Sequence, residues 1–151
     1  MKNEMTLTFS AVSDNEAFAR NAVAAFCVGL DPTIDQLNDI KTAVSEAVTN
    51  SIVHAYPNGA GDKLVTVRTT IEDNTVHIVV SDEGVGIDDV DKAMQPFYTT
   101  KPEQERSGMG FTVMESFMDE LSVERNTPTG TVIKMSKSLR GADWKEKKSS
   151  N

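Results

Sequence analysis

The amino-acid sequence predicts a single α+β domain in which helices cover one face of a mixed, mostly antiparallel sheet. Two observations support this fold class. Three stretches of helix-like apolar periodicity are separated by strand-like alternation, and most of the strand-like segments come in pairs joined by turn residues. With 151 residues the chain has the size of one domain, which we assign to residues 1–138, followed by a polar tail at 139–151.

The N-terminal half predicts a strand followed by two helices. Residues 5–9 alternate between apolar and polar side chains, as in a strand with one buried face. The first helix begins at Asp14, which can cap it, and stops at Gly29. Thr33 and Gln36 have the spacing of a capping box, which predicts the start of a second helix.

The C-terminal half predicts two strand pairs with a helix between them. Residues 63–71 and 75–81 have the pattern of a β-hairpin. The charged segment 95–107 contains two prolines and predicts a mobile loop. Apolar side chains at helical spacing after Gly110 predict the third helix, and residues 122–136 contain the last two strands.

Composition argues against several classes of protein. The net charge is −8, and no stripe of Lys and Arg precedes the short tail, so direct binding to nucleic acid is not expected. No apolar run approaches the roughly 20 residues of a membrane span. The N-terminus lacks a signal-peptide core, and the single Cys27 cannot form an internal disulfide, so we expect a cytoplasmic protein. The acidity can attract a basic partner or serve solubility alone.

The second predicted helix carries polar side chains almost opposite its apolar stripe. A count of 100° per residue places Glu46 and Asn50 there, while Ile34, Ile40 and Val44 belong to the stripe. A solvated helix face would explain this pair if it stood alone. The glycine segments that follow favour a nucleotide site, in which an amide oxygen can bind a hard divalent cation and a carboxylate can accept a proton.

The first glycine segment follows an apolar strand. Asp82 precedes Gly84 and Gly86, so its carboxylate stands where the backbone can turn sharply and where it can bind an adenine amino group. An ordinary turn would explain this motif taken alone. The second segment, Ser107 to Gly110, lies at the start of the third helix, so its amide groups can hold phosphate. The chain has no Walker-type G-K-[S/T] motif and no third glycine at Rossmann spacing.

Basic residues and histidines give weaker indications. Lys101 and Arg106 lie in the predicted loop and can either neutralise a terminal phosphate or keep the loop soluble. Arg106 is the stronger candidate because it stands beside the glycines. The two histidines are too few for a metal cluster. We expect His54 at a helix end and His77 on the outer face of a strand.

These motifs resemble those of the GHKL ATPase and kinase superfamily. Four segments look like its nucleotide-binding boxes, in order: 46–50, 82–86, 108–111 and 130–131. The chain is more closely similar to the bacterial anti-sigma-factor serine kinases, especially their sporulation members, through segments 45–50, 97–101 and 105–111. The resemblance implies a Bergerat two-layer sandwich that binds Mg-ATP beneath a lid at about 88–110.

The resemblance also implies a role for each motif residue. Glu46 would activate an acceptor serine, Asn50 would bind Mg²⁺, and Asp82 would hold adenine. Arg106 would meet the terminal phosphate, and Thr131 would lie near the adenine pocket. The other positions that we expect to contact ATP or ADP are Gly84, Gly86, Thr99, Thr100, Lys101, Ser107, Gly108, Met109, Gly110 and Phe111.

Partners are implied by the family alone. The resemblance to the anti-sigma-factor kinases implies a homodimer that inhibits a sporulation sigma factor of the sigma F type and phosphorylates a serine on an anti-anti-sigma protein. Arg20 is a candidate partner contact, although a salt bridge with Glu16 is the simpler explanation. Four alternatives stay open: a general-stress relative with the same chemistry, a nucleotide-gated binding module without kinase turnover, a histidine kinase, and a simple ATPase. The lack of a phosphoacceptor helix pair and of a second domain favours a stand-alone serine kinase.

Overall fold

The computed structural model describes residues 2–56, 62–87, 94 and 110–139. Within these ranges the chain forms five strands and three α-helices in the predicted order. They are β1 (Asn3–Ser10), α1 (Asp14–Cys27), α2 (Ile34–Val53), β2 (Leu64–Glu72), β3 (Thr75–Asp82), α3 (Gly110–Phe117), β4 (Glu120–Arg125) and β5 (Thr131–Ser138). None of the described helices has the length and apolarity that a membrane span requires.

The five strands form one sheet in the order β1-β2-β3-β5-β4, and every neighbouring pair is antiparallel. The prediction of a mixed sheet is therefore wrong for the described strands. The crossover from β3 through α3 does lead to a strand, β4, that runs parallel to β3. However, β5 pairs with both of them and lies between them, so no two parallel strands become neighbours.

The hairpin between β2 and β3 is confirmed and has a two-residue turn. Asp73 and Asn74 both have positive φ angles, 53° and 60°. Two such residues in succession are characteristic of a type I′ turn, whose twist matches that of the flanking strands. The turn fixes the register, with Glu72 opposite Thr75.

Helix α2 begins with the predicted capping box. The Thr33 hydroxyl accepts a hydrogen bond from the Gln36 N–H at 3.1 Å, and the Gln36 side chain accepts one from the Thr33 N–H at 3.0 Å. The cap predicted for α1 is wrong by one residue, because Ser13 occupies the N-cap position and Asp14 is the first helical residue. Helix α1 ends at Cys27, and a 3-10 turn, Val28–Leu30, follows it.

The core lies between the three helices and one face of the sheet. Alternate residues of the central strands are buried there: Val65, Val67, Ile71, Val76, Ile78, Val80, Ile133 and Met135. Exposed polar side chains occupy the other face, among them Arg68, His77 and Lys134. The structure is thus a two-layer sandwich with its helices on one side, as predicted.

Two residues lie elsewhere than predicted. Ile34, assigned to the apolar stripe of α2, is 80% exposed, because the buried part of this helix begins only at Ile40. Leu139, assigned to the tail, is fully buried, and its N–H donates to the Asn74 carbonyl oxygen at 2.7 Å. Its side chain contributes to the core directly after β5, so the folded domain includes Leu139.

Candidate functional site

The site is built around Asp82, the last residue of β3, which is only 3% exposed. Its carboxylate accepts three hydrogen bonds. The Ser51 hydroxyl donates to Oδ2 at 2.9 Å, while Oδ1 accepts the N–H of Gly84 at 3.0 Å and that of Thr131 at 3.2 Å. A carboxylate has about four acceptor positions, and the described residues fill three of them, so one position on Oδ2 has no donor within the described part of the chain.

Burial controls the acid–base behaviour of this group. Desolvation raises the pKa of Asp82 above its ordinary value, whereas the hydrogen bonds from Gly84, Ser51 and Thr131 lower it. A buried carboxylate with an unfilled acceptor position favours a ligand that brings its own N–H donor. The 6-amino group of adenine is such a donor.

Glycine is required in the loop that follows Asp82. A Cβ atom on Gly84 would overlap the backbone of Ala55, whose carbonyl oxygen accepts the Val85 N–H at 2.9 Å. Gly86 has a φ of +78°, which side chains rarely allow. The backbone turn that the sequence predicted at both glycines is therefore present. Their contact with nucleotide stays a prediction.

The turn between β4 and β5 approaches Asp82 closely. Gly130 has a φ of +109°, and a Cβ atom there would overlap the carbonyl oxygen of Asp82. This approach lets the buried Thr131 donate its N–H to the Asp82 carboxylate. The structure thus places Thr131 beside Asp82, and the location of Thr131 near an adenine pocket stays a prediction.

Helix α2 connects the acid to the polar pair. Glu46 and Asn50 lie four residues apart on this helix and are both half-buried. Ser51, directly after Asn50, is fully buried and holds Asp82. Two adjacent residues of α2 therefore have different predicted roles: Asn50 is the predicted cation ligand, and Ser51 donates a hydrogen bond to Asp82, the predicted adenine-binding residue. The amide oxygen of Asn50 suits a hard divalent cation that also binds phosphate oxygens.

Four residues of the site were missed in the sequence. Ser51 was detectable, because it continues the spacing of Val44 and Val48 on the buried side of α2. The other three form hydrogen bonds with the backbone of Asp82 and of the two residues after it; they are Tyr56, Asn126 and Thr129. They left no signal, since their partners are backbone groups that lie 27 to 45 residues away in the chain.

Arg20 forms the predicted ion pair with Glu16. Its Nη1 lies 2.8 and 2.9 Å from the two carboxylate oxygens. Glu16 also lines a cleft of about 200 Å³ between α1 and α2, together with Thr49 and Ile52. A role for Arg20 in partner binding stays a prediction.

The remaining predicted residues are in the lid and the third helix. Gly110 is the first residue of α3, and Phe111 is buried in the core, so any nucleotide contact of Phe111 would have to come from its backbone. Almost all of the predicted lid, and the tail beyond Leu139, lie outside the described residues. The same is true of Thr99, Thr100, Lys101, Arg106, Ser107, Gly108 and Met109.

Comparison with known proteins identifies the family. Residues 9–137 match the family described as the histidine kinase-like ATPase domain. The chain is 55% identical over 139 residues to the anti-sigma F factor of Bacillus licheniformis, covering 92% of this chain and 94% of that protein. It is 58% identical over 142 residues to the anti-sigma F factor of Geobacillus thermodenitrificans, again covering 92% and 94%. The chain belongs to the anti-sigma F factors of the histidine kinase-like ATPase family.

A solved structure supports the fold of this anti-sigma F family. The crystal structure of the RsbU and RsbW domains from Mycobacterium tuberculosis matches 93% of this chain and 34% of that one, with a TM-score of 0.61 and 16% identity. At this identity the similarity concerns the fold alone. The family match and the relatives confirm the predicted family and the assignment to ATP-dependent kinase-type enzymes. The family match and the solved structure confirm the predicted α+β fold.

Proposed function

We propose that this protein binds and inhibits a sigma factor of the sigma F type, and that it uses Mg-ATP to phosphorylate a serine on an anti-anti-sigma protein. We further propose that it does so in the cytoplasm as a homodimer. The sigma factor is suggested by the name of the relatives, anti-sigma F factor. The observation that supports nucleotide binding most directly is the buried Asp82 carboxylate, which has one acceptor position that no described residue fills.

Asp82 would select the base. The 6-amino group of adenine would donate to its Oδ2, beside the hydrogen bond from Ser51. The glycines after Asp82 shape the loop, because Gly84 lies against the Ala55 backbone and Gly86 has a positive φ angle. Since the carboxylate is desolvated, a hydrogen bond to it is stronger than the same bond in water.

Helix α2 would carry the chemistry. Asn50 would hold Mg²⁺ through its amide oxygen, and when bound the cation would neutralise charge on the phosphates. Glu46, one turn earlier, would accept the proton of the attacking serine hydroxyl. The serine oxygen then bonds to the terminal phosphorus as the bond from that phosphorus to the bridging oxygen breaks, and ADP leaves. Arg106 would meet the terminal phosphate from the lid.

Glu46→Gln tests the assignment of the base. We expect this variant to bind ATP within about threefold of the unchanged protein and to lose serine phosphorylation by at least about 100-fold, because general-base catalysis contributes on the order of 10²–10⁴. Transfer is measured as phosphoserine on the anti-anti-sigma protein by mass spectrometry. Glu115→Gln alters an exposed glutamate of α3 and is the matched control. Transfer at the original rate in Glu46→Gln would show that the base is another group.

The partner assignment needs a separate measurement. Purified protein with ATP and magnesium should retain a sigma F protein in a pull-down and should not retain a general-stress sigma factor. Retention of the general-stress factor alone would favour the alternative relative. Nucleotide-dependent retention without any phosphoserine would favour a binding module that has no kinase turnover.

A further inference from the structure

We propose that the β4–β5 turn, residues 126–130, positions the adenine-binding carboxylate and so determines the preference for adenine. Asn126 and Thr129 would act through the backbone that follows Asp82, without any need to touch the nucleotide. This inference rests on the proposed role of Asp82. From the sequence alone, this turn was predicted only to connect the last two strands and to end in the segment 130–131 that resembles the last nucleotide-binding box.

The first step is the peptide group that joins Asp82 to Glu83. Its carbonyl oxygen accepts a hydrogen bond from Nδ2 of Asn126 at 2.8 Å. Its N–H donates to the Tyr56 hydroxyl oxygen at 2.9 Å, and that hydroxyl donates to the Leu64 carbonyl oxygen at 2.9 Å. The peptide group is therefore held at both ends, by the β4–β5 turn and by the segment that follows α2.

The peptide group that joins Gly84 to Val85 is held in the same way. Its carbonyl oxygen accepts a hydrogen bond from the Thr129 hydroxyl at 2.7 Å. Its N–H donates to the Ala55 carbonyl oxygen at 2.9 Å. Turning either peptide group would break two hydrogen bonds at once, one on each side of the loop.

Between these two groups lies the N–H that orients the acid. The Gly84 N–H donates to Oδ1 of Asp82, so the carboxylate orientation depends on the position of the clamped loop. Two further hydrogen bonds orient Asn126. Its side-chain Oδ1 accepts the Thr127 N–H at 2.9 Å, and its backbone N–H donates to the Gly130 carbonyl oxygen at 3.0 Å. The turn can therefore hold Asp82 with Oδ2 directed to the base.

Adenine and hypoxanthine separate this role from a general effect on stability. Adenine carries an amino donor at position 6, whereas hypoxanthine carries an oxygen that would face the carboxylate and gain nothing from its precise placement. A loosened loop should therefore weaken binding of ATP and leave binding of ITP almost unchanged. A loss of folded protein would reduce the binding of both nucleotides equally.

The test compares dissociation constants for ATP and ITP by calorimetry on the full chain with magnesium. We expect Asn126→Ala and Thr129→Val each to weaken ATP binding about tenfold and ITP binding less than about twofold, since each change removes one part-buried hydrogen bond to a carbonyl oxygen of the loop. Thr129→Ser, which keeps the hydroxyl, should retain the original ratio. Asn15→Ala is the matched control, because Nδ2 of Asn15 donates to the Ser10 carbonyl oxygen at 2.8 Å, away from the site.

The variant Asp82→Asn separates the positioning role of the β4–β5 turn from the adenine-binding role of Asp82 itself. Loss of the ATP preference in Asp82→Asn, with an unchanged ratio in both Asn126→Ala and Thr129→Val, would overturn the role of the turn alone. An unchanged ratio in Asp82→Asn would overturn the role of Asp82 and, with it, the present inference. If Asn126→Ala does not fold, the comparison of Thr129→Val with Thr129→Ser decides, because valine differs from threonine mainly by the loss of the hydroxyl.

Discussion

Removing the Ser51 hydroxyl should destabilise the protein and show that this residue holds an ionised Asp82. Ser51 is fully buried, and its hydroxyl is 2.9 Å from Oδ2. Hydrogen bonds to charged groups contribute about 1.5–3 kcal/mol, so we expect Ser51→Ala to lower the free energy of unfolding by about 2 kcal/mol. For a domain of this size that corresponds to a fall in Tm of roughly 4–8 °C.

The loss should depend on pH in a definite direction. The Ser51 hydrogen bond lowers the pKa of Asp82 against the effect of burial, so that pKa lies higher still in Ser51→Ala. An acid whose folded-state pKa is raised lowers stability above that pKa, and the loss is relieved as the pH falls through it. The deficit of Ser51→Ala should therefore be largest at neutral pH. Below about pH 3.9, which is the pKa of an aspartate in the unfolded chain, the loss of unfolding free energy should shrink towards the loss expected for a hydrogen bond between neutral groups.

A double-mutant cycle in urea denaturation measures the interaction free energy between Ser51 and Asp82. It compares the unchanged chain, Ser51→Ala, Asp82→Asn and the double variant. Because the hydroxyl acts on the charge of Asp82, its removal should cost clearly less in the Asp82→Asn background. Ser116→Ala removes an exposed hydroxyl that donates to the Thr112 carbonyl oxygen and should cost less than about 0.5 kcal/mol. If Ser51→Ala cost as much stability in the Asp82→Asn background as in the unchanged chain, the reasoning would be refuted.

Three further predictions concern buried groups. Thr69→Val should raise the free energy of unfolding by about 1 kcal/mol in urea denaturation, because the buried Thr69 hydroxyl has no hydrogen-bond partner in the described part of the chain. Gly84→Ala should weaken ATP binding at least about tenfold in calorimetry, since its Cβ would overlap Ala55, whereas Gly29→Ala, with no atom within 4 Å of the added Cβ, should bind ATP normally. Burial raises the pKa of the Cys27 thiol to about 11, so its alkylation at pH 8, followed by mass spectrometry, should be slow in the folded protein and fast in urea.

Much of the fold could be predicted because its signals are local. The capping box at Thr33 and the hairpin turn at Asp73 each depend on a few consecutive residues, and the structure contains both. The all-antiparallel sheet could not be predicted, because the position of β5 between β3 and β4 is a long-range pairing that no local pattern records. The exposure of Ile34 was missed for a related reason, since periodicity does not show where a helix leaves its packing partners.

The sequence by itself determined which chemical groups are available: an acid before two glycines, a carboxylate and an amide on one helix, and a chain that turns at defined residues. Only the tertiary structure decided that Asp82 is buried, that Ser51 holds it, and that Asn126 and Thr129 clamp the adjoining backbone. The physical reason is that these contacts join side chains to backbone or buried groups far apart in the chain. Every residue offers the same backbone groups, so only folding selects the partners.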